Sequence, residues 1–274
     1  MLPKWVLAPA ILLVVSGPAW GQDVRMDSLS SVTYTQGSPY PQVNENLLNL
    51  YGSQVLIPTQ VSSSENYGPG SASGFVIGSM GVLHAFATAA YPLDSNYADG
   101  NEAYDQSTVR DDDSLVVTSN TLAAGTAVTL DFEMVMDGTI DVPIATQFGA
   151  VNGWGYGTLN IIPTVGNVTN LSYTLTTSGS YLFSAQIATT VGASIGFNYS
   201  LQAYAQLYAY SPDYHSITSD FSNTAVLTIA SENPNASFST SSGYNYAPAP
   251  EPASVCVLSV GLAAILRKRL AKRR

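Results

Sequence analysis

The sequence predicts an all-β fold, an antiparallel β-sandwich of jelly-roll type, set between two short targeting segments. Three observations predict it. Apolar and polar residues alternate at period 2 in several stretches, and no window of the body sustains a 3.6-residue period. Gly, Asn and Ser clusters separate those stretches and leave no room for long helices between them. Charged residues make up only 10% of the 274, which argues against coiled coils and helical bundles. The single cysteine, Cys256, excludes an intrachain disulfide framework.

Taken in order, residues 1–21 read as a secretory signal peptide. Lys4 supplies the positive charge, Trp5 to Val15 the apolar core, and Ala19 and Gly21 of Ala19-Trp20-Gly21 the small residues at −3 and −1 of the cleavage site. Residues 22–70 are poor in periodicity and rich in Ser, Gly, Pro and Asn, so a partly ordered arm is expected, with a short helix over Asn46 to Tyr51. The sandwich is expected over 71–240. Its strongest strand is Phe197 to Tyr210. Phe197, Tyr199, Leu201, Ala203, Ala205 and Leu207 share one parity; Asn198, Ser200, Gln202, Tyr204, Gln206, Tyr208 and Tyr210 share the other. A strand sends these sets to opposite faces, one packed and one wet. Val128, Leu130, Phe132, Met134 and Met136 form a second alternating run, and Asp137-Gly138 after it predicts a hairpin returning through Thr139 to Val142. Leu171 to Thr176 alternates as well, and Ser178-Gly179 turns into Tyr181 to Thr190. Leu115 to Thr118 and Ala225 to Ala230 are further strands. The stretch from Ser237 to Pro250, and 241–249 in particular, reads as a linker.

The last segment, 250–274, has three parts: Pro250-Glu251-Pro252, fourteen uncharged residues from Ala253 to Leu266, and a cluster of Arg267, Lys268, Arg269, Lys272, Arg273 and Arg274. Fourteen helical residues span about 21 Å, short of a ~30 Å hydrocarbon core unless flanking cations snorkel or the bilayer thins. The positive-inside rule keeps the cluster on the cytoplasmic side. This tail resembles the PEP-CTERM sorting signal of exported bacterial proteins. The resemblance implies handling by an exosortase that cuts near the tripeptide, in a bacterium that makes exopolysaccharide. It implies a protein anchored in the inner membrane before processing, then placed at the cell surface or in the extracellular matrix. The apolar stretch is shorter than usual and carries Cys256. The body is similar to exported proteins that carry this tail, through Gly81-Val82-Leu83-His84-Ala85, Asp113 to Gly138, and Asp220 to Ala225. That likeness implies no activity.

Charge is segregated. Between positions 22 and 250 only Arg25 and Arg110 are basic, against 18 of the 19 acids, a formal charge of -16 with no lysine. Such a surface repels nucleic acid and anionic lipid. No Cys/His cluster, phosphate loop or dinucleotide fingerprint is present, so no zinc, nucleotide or flavin is expected.

Four site patterns stand out. Asp94, Asp99, Glu102, Asp105, Asp111, Asp112 and Asp113 crowd a short stretch, where oxygen ligands in loops suit Ca²⁺; Asp99 and Asp111 to Asp113 are the candidates, against plain solvated acidic loops. Tyr204, Tyr208 and Tyr210 with Gln202 and Gln206, joined by Trp154 on a loop, offer rings and amides to a glycan, against a cross-strand aromatic ladder. Asp131 and Glu133 share a strand face and could cleave glycosides, but the resembling sandwich glucanases carry a Glu where Thr129 stands here, so a solvated face fits better. Gly192-Ala193-Ser194-Ile195-Gly196 matches a nucleophile elbow, but a strand follows it rather than a helix; a glycine turn is expected. His84 and His215 lack neighbours at metal spacing. The four Asn-x-Ser/Thr sequons, at Asn167, Asn170, Asn198 and Asn235, report composition. The overall expectation is a non-enzymatic exported protein, with a carbohydrate-binding module acting on exopolysaccharide, and then a glycan-processing enzyme, as alternatives.

Overall fold

The computed structural model describes residues 22–34, 38–51, 56–67, 70–91, 102–142, 151–164, 166–208 and 216–248. The signal peptide, Pro250-Glu251-Pro252 and the basic tail therefore lie outside the described residues, as do Asp94, Asp99, Tyr210 and His215. The described residues form thirteen strands: β1 (Asp23–Tyr34), β2 (Ser38–Tyr51), β3 (Thr59–Tyr67), β4 (Gly70–Ser79), β5 (Val82–Ala90), β6 (Glu102–Thr118), β7 (Ala127–Asp141), β8 (Val151–Pro163), β9 (Thr169–Leu175), β10 (Gly179–Thr190), β11 (Ser194–Tyr208), β12 (Ser216–Ser231) and β13 (Ser237–Thr240).

All pairing is antiparallel, and the strands make two sheets packed as a β-sandwich. The first runs β2-β1-β6-β11-β8-β9, with β13 also on β6; the second runs β10-β7-β12-β5-β4-β3. The core lies between them. Phe197, Tyr199, Leu201, Ala203, Ala205 and Leu207 of β11 are buried, as the period-2 pattern requires. They face Leu83, Ala85 and Ala87 of β5, with Phe132 of β7 edge-on to Phe197 at 5.7 Å between centroids. Each large apolar side chain withdrawn from water contributes about 1.5–3 kcal/mol. At one open margin, Tyr173 on β9 stacks on Tyr181 of β10, centroids 3.7 Å apart, bridging the two edge strands.

Several expectations need correction. Residues 22–70 are no loose arm: β1, β2 and β3 are sandwich strands, and β1 pairs along eleven residues of β6. Asn46 to Tyr51 is not helical but the end of β2. Asp137-Gly138 makes no hairpin turn, because β7 runs through it to Asp141; Gly138 is needed where the Phe221 ring crosses that strand, leaving no room for a Cβ. Residues 237–248 of the expected linker are structured as well. β13 pairs with Leu115 to Thr118 of β6, beyond the point where β1 ends, and Tyr246 is 1% exposed.

Candidate functional site

The outer face of the first sheet carries the aromatic and amide residues. Trp154 sits in β8, not on a loop. Its motif Gly153-Trp154-Gly155-Tyr156-Gly157 alternates: the glycines point inward, where Cβ atoms would crowd Val142, Phe221 and Met136 in turn, and Trp154 and Tyr156 point outward. Trp154 is directly opposite Tyr204 of β11, and their rings stack with centroids 4.8 Å apart and planes 16° apart. Tyr104 of β6 continues the row at 6.3 Å from Tyr204. Trp154, Tyr204 and Tyr104 thus form one ladder across three adjacent strands. Tyr208 closes β11. Tyr104 has the outward parity of β6 but escaped the sequence reading, since residues 102–113 were expected to be loops.

Amides and hydroxyls flank the ladder. Asn152 Nδ2 donates to Gln206 Oε1 at 3.0 Å, and Gln206 Nε2 donates to Glu102 Oε1 at 2.5 Å. Gln202 Nε2 donates to Thr108 Oγ1 at 3.1 Å. Thr158 and Ser200 hydroxyls lie 2.7 Å apart, and Asn160 Nδ2 donates to Asn198 Oδ1 at 2.8 Å. The ring faces in the middle of the row are turned to one another. What the surface offers a ligand is ring edges, the outer faces of the end rings and amide groups already held in register.

The described acidic candidates do not gather in a loop. Asp111, Asp112 and Asp113 occupy consecutive positions of β6, so Asp112 faces the opposite way from its neighbours. Asp112 binds Arg110 through two bonds of 2.9 and 2.6 Å. Burial holds its carboxyl above the ordinary range even so. Asp111 and Asp113 point between the sheets. The Tyr199 hydroxyl donates to Asp111 Oδ2, and the Gly81 amide reaches the same oxygen at 3.2 Å. Asp111 Oδ1 has no partner, and burial pushes the Asp111 carboxyl and the Tyr199 hydroxyl up. Asp113 is saturated: Ser114 N, Ser241 Oγ, Ser242 N, Ser242 Oγ and the Tyr246 hydroxyl all donate to it. A third inward carboxyl, Asp105, sits among serines. Ser30 Oγ donates at 2.6 Å, Ser107 Oγ at 2.9 Å and Ser63 Oγ at 3.3 Å. Burial is the larger effect and raises Asp105 to about 7. Among the described residues no group of three or more His, Cys, Asp and Glu is arranged to hold a metal ion.

Asp131 and Glu133 lie on the outward parity of β7, Glu133 exposed and Asp131 half-buried. The Gly192 segment is the β10–β11 turn, with Gly192 at φ 92°, and Ser194 opens β11. His84 is on the outer face of β5, its Nδ1 bonded to the Ser222 carbonyl. Among the described residues no helix is long and apolar enough to cross a membrane.

No family model matches the chain, and no curated protein matches it. Among solved structures, one described as "Structure of infectious bursal disease virus Gx strain" aligns at 11% identity over 92% of this chain and 75% of that chain, with a TM-score of 0.18. A similarity that low carries no argument.

Proposed function

We propose that this chain is an exported, non-enzymatic protein, sorted by an exosortase and displayed at the cell surface or in the extracellular matrix. The observation that carries the reading is the join of a lysine-free body of formal charge -16 to a tail with Pro250-Glu251-Pro252, an uncharged stretch and a terminal cation cluster. The two ends prefer opposite sides of a membrane: the cations stay cytoplasmic and the carboxylate-rich body is exported. The inner membrane holds the chain through its tail before processing. Nucleic acid is no partner of such a surface. We read the winding as jelly-roll-like, since the chain crosses between the sheets at each step from β5 to β8.

The test is the C-terminal mass of the mature protein from its native host. Loss of the residues after roughly Pro252 is expected. An intact Arg/Lys tail in the mature pool, or full-length protein in the cytosol, would overturn the reading.

One observation favours a second reading, contact with exopolysaccharide as a carbohydrate-binding module. The Trp154–Tyr204–Tyr104 row sets rings beside ordered amides, the combination that engages C–H faces and hydroxyls of sugars. Saturable retention by a polysaccharide, lost in Trp154→Ala plus Tyr204→Ala, is the expected sign; retention unchanged by both substitutions counts against it.

A further inference from the structure

The opposite face of the sandwich holds a concavity that the aromatic ladder does not touch. It lies over β3, β4 and β5 at the β3 edge of the second sheet, has a volume of about 340 Å³, and is lined by residues that include Gln60, Ser62, Ser64, Ser73, Phe75 and Phe86. Small-molecule sites range over about 300–1,000 Å³. Strand register explains the hollow. Phe75 is paired with Ser62 on one side and with Phe86 on the other. Phe86 stacks on it, centroids 5.1 Å apart and planes 13° apart. On the β3 side a hydroxymethyl group stands where another ring would continue the stack. Ser64 and Ser73 are paired next along the strands and extend the hydroxyl-lined floor. The Phe75 ring therefore forms a wall beside a row of hydroxyls, with the Gln60 amide at one end.

We propose that this groove is a binding site for a neutral carbohydrate. A sugar ring has an apolar C–H face, which an aromatic wall accepts, and a rim of hydroxyls, which serine hydroxyls and a primary amide can both donate to and accept from. Among the described residues no cation lines the groove, so none of them neutralises an acidic sugar. The body's charge of -16 repels an anionic polymer as a whole. Across β5, Asp220 is paired with Phe86 and accepts from Ser222 N; it lies outside the groove lining and adds negative charge beyond the stack, hostile to anions. The proposal stands on the groove itself. It does not depend on tail processing, and it uses the sheet opposite to the Trp154–Tyr204 row.

The test is affinity electrophoresis of the full-length protein in native, detergent-containing gels cast with galactomannan, xyloglucan or dextran, against a gel cast with alginate. Retardation by at least one neutral polymer and none by alginate is expected. Phe75→Ala should weaken retention about tenfold or more, and Ser62→Trp, an exposed substitution that fills the hollow without removing core, should abolish it. Tyr204→Ala should leave it intact. Absence of retardation by all three neutral polymers overturns the proposal, as does retention that survives both Phe75→Ala and Ser62→Trp. Loss in Tyr204→Ala with retention in Ser62→Trp also overturns it and assigns binding to the other face.

Discussion

At the scale of single residues, the unusual feature is carboxyl groups inside a sandwich. Asp105 and Asp111 are fully buried, and Asp113 is 1% exposed. Burying an ionised carboxylate is costly unless it is paired, and among the described residues no cation pairs with these three. Asp105 is raised to about 7 by burial, against an ordinary 3.8. A folded value above the unfolded one means that binding a proton favours the fold. This contribution is therefore weakest above pH 7 and grows as pH falls through about 7 toward 3.8. Asp111 and Asp112, also raised, act in the same direction. A melting temperature several degrees higher at pH 5 than at pH 8 is expected by calorimetry, since about 1 kcal/mol moves the midpoint of a chain this size by about 2–4 °C. Asp105→Asn should raise the pH 8 value and shrink the difference; equal melts at both pH values would contradict this account. The same residues explain what the sequence concealed. Inward positions of β6 read Ala103, Asp105, Ser107, Val109, Asp111, Asp113, Leu115, Val117, so half the packed face is polar and apolar alternation fails. Their partners Ser30, Ser63, Tyr199 and Tyr246 lie 42 to 133 positions away. Nothing local announces them.

At the scale of elements, legibility followed the chemistry of the buried face. β11 was legible because every inward side chain from Phe197 to Leu207 is apolar. β1 was not, because Ser28 and Ser30 occupy inward positions between Met26 and Val32. Glycine misled where it serves packing. Gly138 on β7 and Gly155 on β8 both clear space for the ring of Phe221, one from each sheet. Gly155→Ala should therefore destabilise by about 1–3 kcal/mol through overpacking, read as a lower urea midpoint with unchanged slope. The segment after β13 is a second case. The Tyr246 hydroxyl donates to Asp113 at 3.2 Å, its ring is edge-on to Phe197 at 5.3 Å, and its carbonyl accepts from Ile229 N at 2.8 Å. Tyr246→Phe removes only the hydroxyl bonding and should cost about 1 kcal/mol. Tyr246→Ala empties a core site and should cost about 3–5 kcal/mol, on the scale measured for Phe and Trp truncations. Similar small effects for both in urea titrations would show that the segment is not clamped. Of the aromatic candidates, Trp154 and Tyr204 were visible as residues, but their adjacency depends on the β8–β11 register, which composition cannot supply.

For the whole molecule, charge imbalance is the dominant physical fact. The ion pairs among the described side chains join Arg25 to Asp23 and Arg110 to Asp112, each within one strand and each partly exposed. They contribute little to stability. The remaining carboxylates repel one another across a body of -16. Raising sodium chloride from about 50 to 500 mM shortens the screening length severalfold, so the melting temperature is expected to climb with salt; a fall over that range would count against self-repulsion as the main charge effect. The strands also give the body two distinct poles. β1 begins at Asp23 where β13 takes over its place beside β6, and the Gln22 side chain donates to the Ser241 carbonyl. Tyr67, Ala90, Glu102 and Asp141 end strands at the other pole. Only four peptide units separate the clamped Tyr246 from Pro250, a reach of at most about 14 Å. A body moored through that pole would stand upright on a very short stalk and turn its far pole toward neighbouring cells. Severing the stalk beyond Pro252 would leave only six residues after the anchored Tyr246.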